Sequence, residues 1–391
     1  MTNRADQTNA SDPIVPAGVQ AVLSRRRLLA LTGGAAVLSA CGGGSGRAAD
    51  TTTSTVRTTT STSVARATTT VAPTTTAAPT TTVAPTTTTL PPPVQPLTGL
   101  PLTDPALLAK VALVVKVSND RGACPQTGLN DADIVFEAWG AGPTRFATVW
   151  HSRDLDYVGP IRSCRQQDVN LLGSFNGAVF ACSGGNPGNI ALLRASDMLL
   201  ITEGKGPGWQ LNSRRSRPHK THADTAQLRT NAGPERTGPA QQFRYRAVGE
   251  AAAAGAPMAG FDLQIQQAFV QWRFDVANNV YVRMQDGAPH LLADGSLVTT
   301  DNVVVLWLKY NRSRTDRRSP DGLSTGTDPA TVFTGGRAIT GTWTRPDRLN
   351  PFTLIDDAGA EMLLTPGRTF VELPNSGQGD FPGDDVYTAI A

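Results

Sequence analysis

Cysteine and histidine are scarce in this chain, with four of each among 391 residues. A structural zinc site needs closely spaced thiolates and imidazoles, and no two of Cys41, Cys124, Cys164 and Cys182 form a C-x-x-C pair. His219 and His222, with Asp224, come nearest to a ligand set, but no third nitrogen donor stands beside them. No metal and no cofactor are therefore expected. An excess of one charge is also missing: 35 basic residues against 32 acidic ones leave a net +3, too little to argue for a nucleic-acid partner. The apolar run Leu28 to Ala40 is shorter than the ~20 residues that span a bilayer. Two hydrolase signatures are absent as well, the Gly-x-Ser-x-Gly elbow and Ser-x-x-Lys.

What stands at the N-terminus is an address. Arg25-Arg26-Arg27 precedes the short apolar stretch, and Leu38-Ser39-Ala40-Cys41 closes it. Paired arginines before such a core fit twin-arginine export, and the core itself fits a signal peptide. The last four residues have the form of a bacterial lipobox, in which the cysteine takes a diacylglycerol. The expectation is a signal peptide over 1–40 and lipid on Cys41, anchoring the protein to the outer face of the cytoplasmic membrane. Residues 41–97 are mainly Thr, Ala, Pro, Ser and Val, and Ala72-Pro73-Thr74-Thr75-Thr76 recurs at 84–88. Such composition cannot bury enough apolar surface to offset the entropy of ordering. It predicts a disordered linker reaching roughly 100–170 Å.

The remaining residues fall into two patterns. In 98–245, strand-length apolar runs such as Val111–Val117 and Gly177–Cys182 alternate with helical signals at 165–175 and 189–195. That alternation predicts an α/β layered domain. In 246–391 the period changes to short β segments, among them 270–274, 280–284, 303–308 and 369–373, punctuated by Asn278-Asn279, Asp286-Gly287 and Asp294-Gly295. A mainly antiparallel β domain is expected there. The fold class is thus α+β or α/β, with an N-terminal α/β domain over 98–245 and a β-rich domain over 246–391.

Several blocks then occur in a characteristic order: Leu97-Thr98-Gly99-Leu100-Pro101, Ala132-Asp133-Ile134-Val135-Phe136-Glu137, Thr144-Arg145-Phe146, Gly159-Pro160-Ile161-Arg162-Ser163-Cys164-Arg165, Asp301-Asn302-Val303-Val304 and Gly341-Thr342-Trp343. The chain resembles the YerB-like lipoproteins, a bacterial family of unknown function. The resemblance implies architecture and compartment rather than a reaction. Where members carry Arg-Pro this chain has Cys124-Pro125, and Cys164 replaces an alanine. With Cys41 lipidated, the three other thiols allow three pairings or none. The two departures from the family pattern favour a Cys124–Cys164 disulfide.

Arg145, Arg162 and Arg165 carry the candidate chemistry. Guanidinium groups grip phosphate or carboxylate through paired, charge-assisted hydrogen bonds. The expectation is a common polar cleft that takes an anionic cell-wall or envelope component, with Asp133 and Glu137 nearby. The alternative within the same residues is internal pairing with Asp131, Asp133 and Glu137. A second functional reading is a hydrolase or phosphotransferase acting on phosphorylated envelope glycans or lipid-linked sugars. Oligomeric state leaves no mark in the sequence.

Overall fold

The computed structural model describes residues 93–383 and 385–391. The signal peptide, Cys41 and most of the linker lie outside the described residues. Five strands come from the first half: β1 Leu113–Ser118, β2 Ile134–Gly140, β3 Gly142–Trp150, β4 Val179–Cys182 and β5 Leu199–Thr202. A small ribbon follows, β6 Trp209–Leu211 and β7 Thr221–Ala223. The second half begins with β8 Ala256–Pro257, β9 Gly260–Ile265, β10 Ala268–Asp275, β11 Val280–Gln285, β12 Ala288–Pro289 and β13 Thr299–Thr300. It continues with β14 Asn302–Leu306, β15 Lys309–Arg312, β16 Pro320–Leu323, β17 Gly326–Thr334 and β18 Arg337–Arg345. The last strands are β19 Thr353–Asp356, β20 Thr369–Leu373 and β21 Val386–Ile390.

Strands from both halves share one mixed sheet of eleven, ordered β19-β18-β17-β14-β20-β2-β3-β1-β4-β5, with β8 on β18. The join is β20, which runs parallel to both β14 and β2. A six-stranded antiparallel sheet, β12-β11-β10-β9-β21 with β13 on β11, forms the second layer. The structure is therefore mostly β. Its α-helices are short: α1 Gln167–Leu171, α2 Pro187–Arg194 and α3 Thr225–Arg229. The helix expected over 165–175 is cut to one turn of α-helix and a 3-10 turn, Gly173–Phe175, and Asn176 follows with a left-handed φ of 53°.

Side chains alternate across the large sheet and give two cores. On one face Val114, Phe136, Ala147 and Phe180 pack with Leu171 and Leu172 near α1, and with Val304 and Trp343 from the second half. On the other, Val115, Val117, Phe146 and Trp150 pack with Phe261, Leu263 and Trp272 of the second sheet. β1 is buried at every position, as its continuous apolar run predicts. The opening Leu97-Thr98-Gly99 block is fixed by packing as well. Gly99 has φ +65°, and a Cβ there would lie 2.2 Å from Cγ of Tyr245, whose hydroxyl donates to the Leu97 carbonyl at 2.7 Å.

Candidate anion-binding site

Arg145 lies on β3, opposite Ser118 of β1 and Ala138 of β2. Its parity puts it on the α1 face of the sheet, in line with Ala147 and Val149. Arg162 and Arg165 stand on the segment before α1, which pairs with the end of β1 through the Val117–Ile161 bridge. That segment is held by its backbone: Arg162 N–H donates to Lys116 C=O at 2.7 Å, Ser183 N–H to Arg162 C=O at 3.0 Å, and Cys164 N–H to Gly184 C=O at 2.9 Å.

The three guanidiniums are mutual neighbours. Burial, followed by the charges of Arg165 and Arg162, pulls Arg145 down to about 9. Burial also lowers Arg165, against the pull of nearby Asp168. Arg145 is 5% exposed, yet its Nη1 has no hydrogen-bond partner among the described residues. The Nε atoms of Arg162 and Arg165 are likewise buried and unpartnered. Arg165 spends Nη1 on the Ser163 hydroxyl and the Cys164 carbonyl. None of the three makes an ion pair within 4.0 Å among the described residues.

The carboxylates closest in charge to this cluster are already engaged. Asp168, fully buried, takes Lys116 Nζ at 2.7 Å on one oxygen and the Arg165 N–H at 2.7 Å on the other. Asp316 accepts from the Ser319 hydroxyl at 2.6 Å and the Arg318 N–H at 3.2 Å. The turn carrying Asp316 belongs to the β15–β16 hairpin and packs beside the cluster. Gln166 holds it there by accepting from the Ser313 hydroxyl and the Arg314 N–H, both at 3.0 Å. The result is a cluster of guanidiniums with no ion pair of its own, whose nearest acids, Asp168 and Asp316, are hydrogen-bonded elsewhere, an arrangement that is costly unless an anion joins it.

Asp133 and Glu137, expected beside these arginines, do not join them. Glu137 projects from the opposite face of β2, on the side of Val135 and the second sheet, and Asp133 lies just before that strand begins. Asp133 accepts from the N–H groups of His151 and Ser152 at 2.6 and 2.8 Å and ties down the end of β3. Glu137 accepts from Asn119 at 2.8 Å and Thr144 at 2.5 Å, and pairs with Arg283 at 2.5 Å.

Arg283, on β11, is the centre of a network that sequence reasoning missed. Its guanidinium is fully buried and sits 5.4–5.9 Å from the rings of Phe146, Trp272 and Phe370. It donates to Gln285 and to His290 Nδ1, and the His290 Nε2–H donates to Gln126 at 2.9 Å. Glu372 on β20 lies 3.9 Å from Arg283 and accepts from Trp272 Nε1 at 2.9 Å. Burial, and then the charge of Glu137, raises Glu372 well above the usual carboxylate range. In sequence these residues stand in ordinary alternating strands, and no local pattern marks them.

The favoured Cys124–Cys164 disulfide is also corrected. No disulfide joins Cys124, Cys164 or Cys182 in the structure. Cys124 is exposed in the turn after Ala123, within the field of Arg283, whereas Cys164 and Cys182 are buried together on the α1 face. His219 and His222 are separated in role: His219 lies by Asp120, 3.7 Å away, while His222 stacks on Tyr157 at 4.3 Å. No group of three metal-binding side chains occurs among the described residues.

A mixed sheet assembled from two sequence halves, with short helices on one face and a second sheet on the other, is a fold seen before. It aligns with the crystal structure of YerB protein from Bacillus subtilis at a TM-score of 0.63 and 22% identity, covering 72% of this chain and 96% of that one. Residues 97–238 match the family described as "Protein of unknown function (DUF3048) N-terminal domain", and residues 261–371 match its C-terminal domain. The protein "Putative lipoprotein YerB" of Bacillus subtilis (strain 168) is 25% identical over 291 residues, 71% of this chain and 85% of that protein. The chain belongs to the YerB-like family.

Proposed function

We propose that this protein is an exported, lipid-anchored envelope protein that binds an anionic group, phosphate or carboxylate, at Arg145, Arg162 and Arg165. Lipid on Cys41 and the Thr/Pro-rich linker would hold the folded part away from the membrane, within reach of anionic wall polymer. One observation carries the binding reading: Arg145 is buried, lacks an acidic partner, and has two further guanidiniums beside it. A fold keeps such a charge at a cost, and an incoming oxyanion would relieve it through charge-assisted hydrogen bonds. Binding rather than turnover is favoured because Asp168 and Asp316, the acids closest in charge, are committed to Lys116 and Ser319. The test is a titration of the folded part with phosphate, sulfate and citrate, followed by thermal melting. The parent is expected to be stabilised in proportion to ligand occupancy, and Arg145→Ala to lose that response. A parent protein indifferent to all three anions would overturn the reading.

A further inference from the structure

We infer that Cys164 and Cys182 form a disulfide in the protein outside the cytoplasm, and that this bond pins the segment carrying Arg162 and Arg165. Cys182 ends β4, and Cys164 stands in the neighbouring segment between the two arginines. Both are fully buried in the same core, and one carbonyl, that of Gly184, accepts from the Cys182 thiol at 3.3 Å and from the Cys164 N–H at 2.9 Å. The two backbones are tied as well, through Cys164 N–H to Gly184 C=O at 2.9 Å and Ser183 N–H to Arg162 C=O at 3.0 Å. The thiols are therefore already presented to each other by strand and loop.

The pair has an asymmetry suited to disulfide exchange. The proximity of Cys182, together with burial, raises Cys164, and the proximity of Cys164 lowers Cys182. Cys182 is thus the more readily ionised of the two, and the thiolate is the reactive form. It attacks one sulfur of an external disulfide, carried by a thiol oxidase or a small-molecule disulfide, and expels one thiolate. Cys164 gives its proton to that thiolate, attacks the Cys182 sulfur and expels the second. Two protein thiols become one S–S bond, and the external disulfide is reduced to two thiols.

Access is through a single glycine. Gly185 is exposed, and a Cβ there would lie 2.5 Å from the Cys164 sulfur. Cys164 is thus covered at this point by a residue without a side chain, at the exposed end of the run Ser183-Gly184-Gly185. An oxidising compartment completes the case, since such bonds persist outside the cytoplasm. Closing residues 164–182 into a loop restricts the unfolded chain and fixes the two ends of the site segment.

The bond itself does not depend on the anion reading; only its effect on binding does. Full-length protein isolated from its envelope without reductant should be alkylated in denaturant and digested. A linked Cys164–Cys182 peptide with alkylated Cys124 is expected. Alkylated Cys164 and Cys182, or any linkage through Cys124, would overturn the inference. Oxidised protein should melt about 5–10 °C above reduced protein, and Cys182→Ala should melt identically in both conditions. Equal melting of linked and reduced parent would overturn the pinning. Phosphate titration separates the two proposals: if binding is absent in both redox states while the linked peptide is found, the anion reading fails and the disulfide stands.

Discussion

Two buried arginines in this protein face opposite situations, and they should respond oppositely to truncation. Arg145 has no acidic partner, so Arg145→Ala removes an uncompensated charge along with some packing of its stem. Its stability in anion-free buffer should stay within about 1 kcal/mol of the parent, as read by urea denaturation. Arg283 is paired with Glu137 and leans on three aromatic rings. Arg283→Ala strands Glu137 in the core and should cost about 3–5 kcal/mol. A larger loss for Arg145 than for Arg283 would contradict both assignments. Glu372 supplies a pH signature. Its value in the folded state lies above that in the unfolded chain, so folding takes up a proton. Its contribution is full below the unfolded value and is lost as pH rises towards the folded one. Glutamine needs no proton. Glu372→Gln should therefore be more stable than the parent at about pH 8, with the gap closing near pH 4. Parallel stability profiles for the two proteins would reject a protonated Glu372.

At the scale of elements, β20 matters most, because the two halves meet on it. Thr369–Leu373 is buried at every position and is bonded on both edges, to β14 and to β2. Proline has no N–H to give to such a ladder and is excluded from central strands. Val371→Pro should cost more than about 4 kcal/mol, the range reserved for a specific structural lesion. The loss should reach both halves together, seen as simultaneous exposure of Trp150 and Trp343 to solvent quenchers. Survival of one half alone would show that β20 is dispensable to it. The β15–β16 hairpin has a more local duty. Through Gln166 it places its arginine-rich turn against the site segment, so charge from the second half borders a cluster built on the first.

For the whole molecule, location and binding are separable. The described residues, from 93 onward, carry the fold, whereas the proposed signal peptide and linker precede them in the chain. Cys41→Ala should release the protein into the medium or stall it as an unprocessed precursor, while leaving its melting temperature unchanged. A second acyl chain is what turns marginal membrane contact into firm anchoring. Membrane retention of a normally processed Cys41→Ala protein would refute lipidation at that residue.

The chain by itself determined what depends on neighbours in sequence. The apolar run of β1, the turn dipeptides that punctuate the second half and the paired arginines before Leu28 are all local signals, and strand identity follows from them. For the proposed cluster, local signals said only that the Arg145 block precedes a strand and that Arg162 and Arg165 open a helix, positions that allow convergence without forcing it. Side-chain parity was legible in principle too, since alternation along β2 puts Glu137 and Ala138 on opposite faces. Which face belonged to the arginines, however, depended on pairing with β1 and β3, which no local pattern encodes. Only the tertiary structure decided that Arg283 and Glu372, 146 and 235 positions from Glu137 in the chain, would complete its environment. The same holds for Cys182, rather than Cys124, as the neighbour of Cys164. A sheet sets its contacts by strand order, and here β20 enters between β2 and β14 from the far end of the chain, bringing distant residues together after local preferences have been spent.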